Sequence, residues 1–296
     1  RNNFIMLMNM QRLLRIANEN HFAIPAFNIG SLVMLNAVME CCEEEQAPVI
    51  IAIHPDELKF VGEHFVKSCI DLASKVTVPC AIHLDHSGEE YIYKAVRAGF
   101  TSVMIDASSK PLEENISICK KIVDFCHPLG VSVEAELGTI GAIGNNFENG
   151  VSDITYTDPI EAKYFVESTG IDCLAVAIGT AHGIYPKGHK PKLQLDLLSQ
   201  IKAKVDVPLV LHGGSSNPDE EITESVRRGI SKINISSDVK SALYTAVRRT
   251  LNENSELREP FEVYEDGIKS MKSVIKQKIE LLNDNNKMNC FVLSDI

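Results

Sequence analysis

The chain has 296 residues, enough for two ordinary domains or for one large α/β barrel. With 45% hydrophobic and 23% charged residues, its composition is typical of a globular protein with a substantial core. The formal net charge of -11 speaks against a nucleic-acid partner held through its phosphates, although a local site can still bind a small anion. No uninterrupted apolar run reaches membrane-spanning length, so we expect no membrane partner.

The eight cysteines form no CxxC pair and no spaced zinc-finger pattern. Cys41 and Cys42 are adjacent, which is poor geometry for an ordinary disulfide. Cys119 and Cys126 would share one helix face, where buried thiols are expected. This cysteine usage predicts a reducing compartment, the cytoplasm.

Short apolar runs alternate with longer amphipathic stretches after an N-terminal helix, whose apolar positions are Met10, Leu13 and Leu14. The candidate strands are residues 23–27, 48–53, 80–85, 102–106, 131–136, 173–178, 208–212 and 232–236. The helical patterns between and after them are residues 32–45, 89–98, 113–125, 159–168, 193–204, 218–228 and 239–251. Strand and helix in regular alternation predict a parallel sheet, and eight such units predict a closed barrel.

We therefore interpret residues 1–296 as one domain of class α/β, a single (β/α)8 TIM barrel. The barrel covers about residues 20–252, and an extra C-terminal helix covers about residues 260–285. An open doubly wound sheet would need a glycine-rich dinucleotide fingerprint, and residues 27–31 contain only one glycine. Residues 138–153 are interpreted as a mobile lid, and residues 283–287 as a loosely ordered tail.

Reactive side chains are concentrated where the predicted strands end, which is where a parallel barrel forms its active site. These side chains are Asp85, His86, Asp106, Glu134, Glu136, His182, His212 and Asn234. Three histidines with an open fourth position are a common catalytic zinc arrangement. Any one histidine alone would be better explained as a hydrogen-bonded structural residue, but their joint appearance favours a metal site.

The stretch His83-Leu84-Asp85-His86 poses a geometric problem. In a regular strand Asp85 and His86 point to opposite faces. Both can address one site only if the strand relaxes at its end. His83 has no assigned role in this interpretation.

Three further segments are suited to binding a phosphate. Residues 178–183 and 211–216 place small residues where backbone N–H groups can approach an anion. Residues 234–237 end the eighth strand and open a helix, and phosphate sites of this fold are often formed after strands 7 and 8. The alternative for each segment is an ordinary glycine turn or an N-capping serine.

The segments AIPAFNI, HLDH, MIDAS, EAELG, IGTAHG, LHGGS and KINIS resemble, in this order, the class II, metal-dependent ketose-1,6-bisphosphate aldolases. The resemblance spans roughly residues 24–251. It implies a catalytic zinc ion (Zn2+) held by His86, His182 and His212, with Asp85 as the acid/base for proton transfer.

The resemblance also implies a second or displaced metal position at Asp106 and Glu136. Dihydroxyacetone phosphate would be held by Gly183, Gly213, Gly214, Ser215, Asn234, Ile235, Ser236 and Ser237. Members of the family commonly form dimers or tetramers, so a homodimer or homotetramer is expected. Many of them bind a monovalent cation, Na+ or K+, near the phosphate.

The implied reaction is the reversible cleavage of fructose or tagatose 1,6-bisphosphate to dihydroxyacetone phosphate and glyceraldehyde 3-phosphate. This cleavage leaves an enediolate, whose charge needs a Lewis acid and whose protonation needs a positioned carboxyl group. A Schiff-base aldolase would instead need a buried lysine, and we expect the one strand lysine, Lys232, to face the helices. The remaining alternatives are an aldolase for a different ketose phosphate and a non-catalytic sugar-phosphate-binding barrel.

Overall fold

The computed structural model of the chain describes residues 6–142, 154–182, 192–215 and 217–291. Its strands are β1 (Ile24–Asn28), β2 (Val49–Ile53), β3 (Cys80–Ser87), β4 (Ser102–Ile105), β5 (Ser132–Leu137), β6 (Gly141–Ala142), β7 (Cys173–Val176), β8 (Ala181–His182), β9 (Leu209–Leu211) and β10 (Ile230–Ile235). Its α-helices are α1 (Met10–Glu19), α2 (Leu32–Glu45), α3 (Pro55–Val61), α4 (His64–Ala73), α5 (Glu89–Ala98), α6 (Leu112–Cys126), α7 (Pro159–Thr169), α8 (Leu195–Lys202), α9 (Asp219–Arg227), α10 (Ser237–Glu253) and α11 (Pro260–Leu281). Within these ranges, no helix combines the length and the apolar character that crossing a membrane requires.

The predicted fold class is confirmed. Eight parallel strands close into a barrel in the order β1-β10-β9-β7-β5-β4-β3-β2. All eight predicted strands are present, and their ends are shifted by at most two residues. The short strands β6 and β8 form a separate parallel pair, which aligns Gly141 with Ala181 and Ala142 with His182.

Two helices between β2 and β3, α3 and α4, were not predicted. The start of α3 is a capping box in which the His54 ring accepts a hydrogen bond from the backbone N–H of Asp56 at 3.2 Å. Glu57 completes the box by accepting from the backbone N–H of His54, also at 3.2 Å. Histidine stands here where serine or threonine usually caps a helix, so the sequence signal is weak.

Side chains of the barrel strands alternate between two apolar clusters. The outer cluster lies between the strands and the surrounding helices and includes Phe27, Ile51 and Val133. The inner cluster contains Ile50 and Val210 of the strands together with the apolar face of α1. The barrel interior is therefore a packed core that α1 shares.

Hydrogen bonds hold α1 at the amino-terminal end of the barrel. The Asn9 side chain caps the helix by accepting from the backbone N–H of Arg12 at 3.1 Å. The backbone N–H of Met10 donates to the hydroxyl of Ser132, the first residue of β5, at 2.9 Å. The opposite, carboxyl-terminal end of the barrel therefore remains for a functional site.

The C-terminal helix α11 packs against α2 and α10, with Met271, Ile275 and Ile279 fully buried. The prediction of a loosely ordered tail at residues 283–287 is wrong. The Asp284 side chain is 0% exposed, and the backbone N–H of Asn286 donates to a carbonyl at the end of α2 at 2.8 Å. The polar composition of this segment suggested disorder, but backbone hydrogen bonds hold it against the barrel, and such bonds leave no periodic pattern in the sequence.

The role of α1 predicts a difference between two leucine substitutions. Leu13 is fully buried in the inner cluster, whereas Leu129 is 57% exposed. Leu13→Ala should lower the free energy of unfolding by about 2–5 kcal/mol, since it removes buried methyl groups and leaves a cavity. Leu129→Ala makes the same chemical change at the surface and should alter this free energy by less than about 0.5 kcal/mol. Urea unfolding measures both, and equal effects would show that α1 does not close the barrel.

Candidate active site

Three buried histidines meet at the carboxyl-terminal end of the barrel. His86 lies in β3, His182 lies in β8, and His212 directly follows β9. One ring nitrogen from each lies within 4.8 Å of the other two. His86 Nε2 and His212 Nδ1 are buried and have no hydrogen-bond partner among the described residues. Buried polar atoms are costly unless something satisfies them, so this cluster fits a metal ion.

The end of β3 is distorted in a way that brings Asp85 and His86 to the same site. His86 has a φ angle of 29°, in the left-handed region that residues other than glycine rarely adopt. The register between β3 and β4 also shifts between Leu84 and Ser87. The regular alternation of side chains is therefore broken at Asp85 and His86, which is the condition for both residues to face one site.

Asp85 is 1% exposed and is held by two amide side chains, one from β1 and one from β10. Asn28 Nδ2 donates to one carboxylate oxygen at 2.8 Å, and Asn234 Nδ2 donates to the other at 3.0 Å. Burial alone would raise the pKa of Asp85, but nearby positive charge, that of His86 foremost, holds it well below its usual range. Asp85 is thus an oriented, ionised carboxylate that can accept a proton.

Asp106 orients the ring of His86 through Nδ1, the ring nitrogen that does not face the histidine cluster. His86 Nδ1 lies 3.0 Å from Asp106 Oδ2, and the hydroxyl of Ser108 donates to Oδ1 of the same carboxylate at 2.7 Å. Because Nδ1 donates to Asp106, Nε2 is the nitrogen that faces the histidine cluster. Asp106 and Glu136 also form with His86 a second group of possible metal ligands, with atoms within 4.8 Å of one another.

The electrostatic balance of this region favours a cation. Burial lowers the pKa of His86, but the carboxylates of Asp85 and Asp106 outweigh it and raise this pKa to about 10. Burial, followed by the charge of Asp106, raises the pKa of Glu136 to about 8. A metal ion bound at the histidines would supply the positive charge that a proton on His86 otherwise provides.

A second polar cluster lies inside the barrel beneath the histidines. Glu134 Oε1 accepts a hydrogen bond from His212 Nε2 at 2.7 Å, and Glu134 Oε2 accepts one from Lys232 Nζ at 2.8 Å. His83 Nε2 lies 3.6 Å from Glu134 Oε2, and His83 Nδ1 lies 2.8 Å from the hydroxyl of Ser102. All five of these residues are 0% exposed.

The expectation that Lys232 faces the helices is wrong. Lys232 is aligned with Ile24 of β1 and with Val210 of β9, which both face the barrel interior. The alignment with neighbouring strands sets this orientation, and the sequence of β10 alone does not show which of its faces is the inner one. Burial would raise the pKa of Glu134, but the Lys232 ammonium and the His212 hydrogen bond hold it well below its usual range. Burial and the charge of His86 lower the pKa of His212 to about 4.

The loops proposed for phosphate contact one another closely. Gly213 has a φ angle of 65°, and a Cβ atom added there would lie 2.7 Å from the carbonyl oxygen of Ala181. The backbone N–H of Gly214 donates to the carbonyl of Asn234 at 3.3 Å, and the hydroxyl of Ser215 accepts from a backbone N–H of α10 at 3.4 Å. The loops after β7, β9 and β10 therefore form one continuous surface.

The amino terminus of α10 contributes to this surface. Ile235 ends β10, Ser236 is the N-cap residue, and Ser237 is the first residue of the helix. The side chain of Ser236 makes no capping hydrogen bond within the described structure. Free N–H groups at a helix amino terminus favour a bound anion. Gly183 and most of the predicted lid, residues 143–153, lie outside the described residues.

Sequence reasoning missed the functional neighbours of the predicted residues. Asn28, which holds Asp85, could have been noticed as a polar residue at the end of an apolar strand. Glu134 was recognised at a strand end but was given no partner, and His83 was given no role. Their contacts join strands that are distant in sequence, and no local pattern reports such contacts.

Comparison with known proteins agrees with this geometry. The chain is similar to the YdjI aldolase from Escherichia coli K12, with 35% identity and a TM-score of 0.82 over 95% of this chain and 99% of that one. It is also similar to the fructose-bisphosphate aldolase from Campylobacter jejuni, with 26% identity and a TM-score of 0.78 over 95% of this chain and 97% of that one. The family model for class-II fructose-bisphosphate aldolases matches residues 8–287, which include every strand of the barrel and the three clustered histidines. The protein is therefore a member of the class-II fructose-bisphosphate aldolase family.

Proposed function

We propose that this protein is a zinc-dependent aldolase that reversibly cleaves fructose or tagatose 1,6-bisphosphate to dihydroxyacetone phosphate and glyceraldehyde 3-phosphate. One observation carries the proposal. The three histidines converge beside Asp85, a buried carboxylate that two amides hold in place. Membership of the aldolase family supports the reaction type, because the same groups serve aldol chemistry.

His86, His182 and His212 would hold the zinc ion. Three protein ligands leave a coordination position open for substrate, as in other catalytic zinc sites. When bound there, zinc supplies a Lewis acid that draws electrons from the carbonyl of the ketose. Asp106 and Glu136 are proposed as the second or displaced metal position, since they share His86 with the first group.

Asp85 is proposed to move the proton that the substrate gains or loses when the carbon–carbon bond breaks or forms. Its amide partners, Asn28 and Asn234, restrict the carboxylate to one orientation, so little reorganisation is needed for proton transfer. The low pKa of Asp85 keeps it ionised at neutral pH, ready to act as the base.

The phosphate of dihydroxyacetone phosphate is assigned to the surface formed by the loops after β9 and β10. Gly213, Gly214 and Ser215 would line the phosphate together with residues 234–237, which run from the end of β10 into α10. Backbone N–H groups of these segments that have no partner within the protein would donate to its oxygens. Gly183 is included in this proposal on the resemblance alone. A bound Na+ or K+ near the phosphate is proposed on the same ground.

The family also supports a homodimer or homotetramer, which we propose as the assembly. None of the eight cysteines forms a disulfide, and seven are buried. This supports a reducing compartment, and we propose the cytoplasm.

An aldolase that acts on a different ketose phosphate is the second candidate. The identity to the YdjI aldolase is 35%, compared with 26% to the fructose-bisphosphate aldolase from Campylobacter jejuni. Membership of the family therefore does not identify the ketose phosphate, and initial rates on several of them are needed to identify it.

Removal of metal tests the proposed reaction. Cleavage of fructose and tagatose 1,6-bisphosphates should disappear after treatment with a chelator and return with zinc but not with magnesium, since magnesium prefers oxygen ligands. Coupled initial-rate assays on both bisphosphates, with other ketose phosphates beside them, measure this and rank the substrates. Full activity after verified metal removal, or a covalent adduct trapped by borohydride, would refute the zinc mechanism.

Asp85→Asn tests the proposed proton transfer. The variant keeps the size of the side chain but removes its basicity, so the cleavage rate should fall by about 10²–10⁴-fold while zinc content is unchanged. Asp172→Asn is the control, because Asp172 is also a buried carboxylate but lies at the amino-terminal end of the barrel. Wild-type rates in a zinc-loaded Asp85→Asn variant would remove Asp85 from the mechanism.

A further inference from the structure

Glu134 lies beneath the histidine cluster and forms a hydrogen bond with one of its members, His212. Its Oε1 atom accepts from His212 Nε2 at 2.7 Å, while His86 is instead paired with Asp106 at 3.0 Å. Two of the clustered rings are thus each oriented by a different carboxylate. The two arrangements differ in one respect, because Asp106 bonds to Nδ1 of its ring and Glu134 bonds to Nε2.

The ion pair with Lys232 determines the direction of the hydrogen bond between His212 and Glu134. An ammonium group only donates, and Lys232 Nζ donates to Glu134 Oε2 at 2.8 Å. An ionised carboxylate only accepts, so His212 must carry its proton on Nε2 to bond with Oε1. A neutral imidazole carries one proton, and His212 Nδ1 is then left with a free lone pair directed into the cluster.

Packing alone does not explain why charges occupy this part of the barrel. Neighbouring interior positions hold apolar residues such as Ala175 and Val210. Replacing a buried ion pair by apolar side chains of similar volume is often neutral or stabilising, so the pair does not need to be there for stability. A buried pair that also holds a candidate ligand has a reason to be retained.

We propose that Glu134 is a positioning residue for the metal site, and that its ion pair with Lys232 directs the Nδ1 lone pair of His212 toward the metal. This inference rests on the proposed zinc-dependent function. It assigns to the buried Glu134–Lys232 pair a task separate from substrate contact. It also predicts that His212 binds metal through Nδ1, whereas His86 does so through Nε2.

Two double variants separate positioning from stability. Glu134→Leu with Lys232→Met removes both charges and every acceptor, whereas Glu134→Gln with Lys232→Met removes both charges but keeps one acceptor oxygen. In the leucine variant zinc should bind about 10–100-fold more weakly, the usual effect of losing a partner of a metal ligand. The glutamine variant should recover part of that loss. Competition with a chromophoric chelator measures both affinities. The visible spectrum of the cobalt-substituted protein should differ from that of the wild type more in the leucine variant than in the glutamine variant.

Asp172→Asn is the matched control for these variants. Asp172 also accepts a hydrogen bond from an imidazole, that of His127 at 2.9 Å, but it lies at the other end of the barrel. The zinc affinity and the cobalt spectrum of the Asp172→Asn variant should equal those of the wild type. If both double variants also match the wild type in zinc affinity and cobalt spectrum, the proposal is overturned.

A measurement on the metal-free wild type decides the proposal even if the double variants do not fold. Nitrogen-15 NMR of selectively labelled histidine should show neutral His212 with its proton on Nε2. A proton on Nδ1 would overturn the proposal while leaving the zinc mechanism intact. Conversely, a wild-type protein that binds no zinc would refute the proposed function, and the tautomer of His212 would still report on Glu134.

Discussion

The candidate active site depends on a backbone distortion at the end of β3. Eight parallel strands direct their carboxyl-terminal ends toward one place, but a regular strand can present only every second side chain there. The positive φ angle of His86 and the register shift beside it remove this restriction for Asp85 and His86. Such a conformation costs of order 1–3 kcal/mol and persists where the surroundings fix it. Here Asp106 and two amides hold the distorted residues in place.

The polar side chains around this distortion form two levels. At the mouth of the barrel, the three histidines face Asp85, Asp106 and Glu136, an arrangement with more negative than positive groups. One level below, Glu134 is compensated by the Lys232 ammonium. The upper level therefore favours a cation, whereas the lower level is already balanced. The proposed metal site therefore lies in the part of the barrel where negative charge is in excess, whatever the net charge of -11 of the whole chain.

Much of this organisation is predictable from the sequence, because strands, helices and strand ends leave local patterns. The eight strands, the C-terminal helix and the clustering of His86, His182 and His212 follow from apolar periodicity and from the geometry of a parallel barrel. The side-chain partners do not follow from them. Asn28 lies 57 residues from Asp85, and Glu134 lies 78 residues from His212, so these hydrogen bonds exist only once the barrel closes.

The errors have physical causes of the same kind. Lys232 was placed on the wrong face because the alignment of β10 with β1 and β9 sets which face is the inner one, and that alignment cannot be read from the sequence of β10. Helix α3 was missed because its capping residue is a histidine, and the tail after α11 was misjudged because backbone bonds hold it.

Zinc-edge anomalous diffraction from crystals of the zinc-loaded protein would show whether the three histidines hold the zinc ion. The proposed site predicts one strong anomalous peak about 2.0–2.1 Å from His86 Nε2, His212 Nδ1 and a ring nitrogen of His182. A peak bound by other residues, or no ordered zinc among these three histidines, would rule out the proposed metal site.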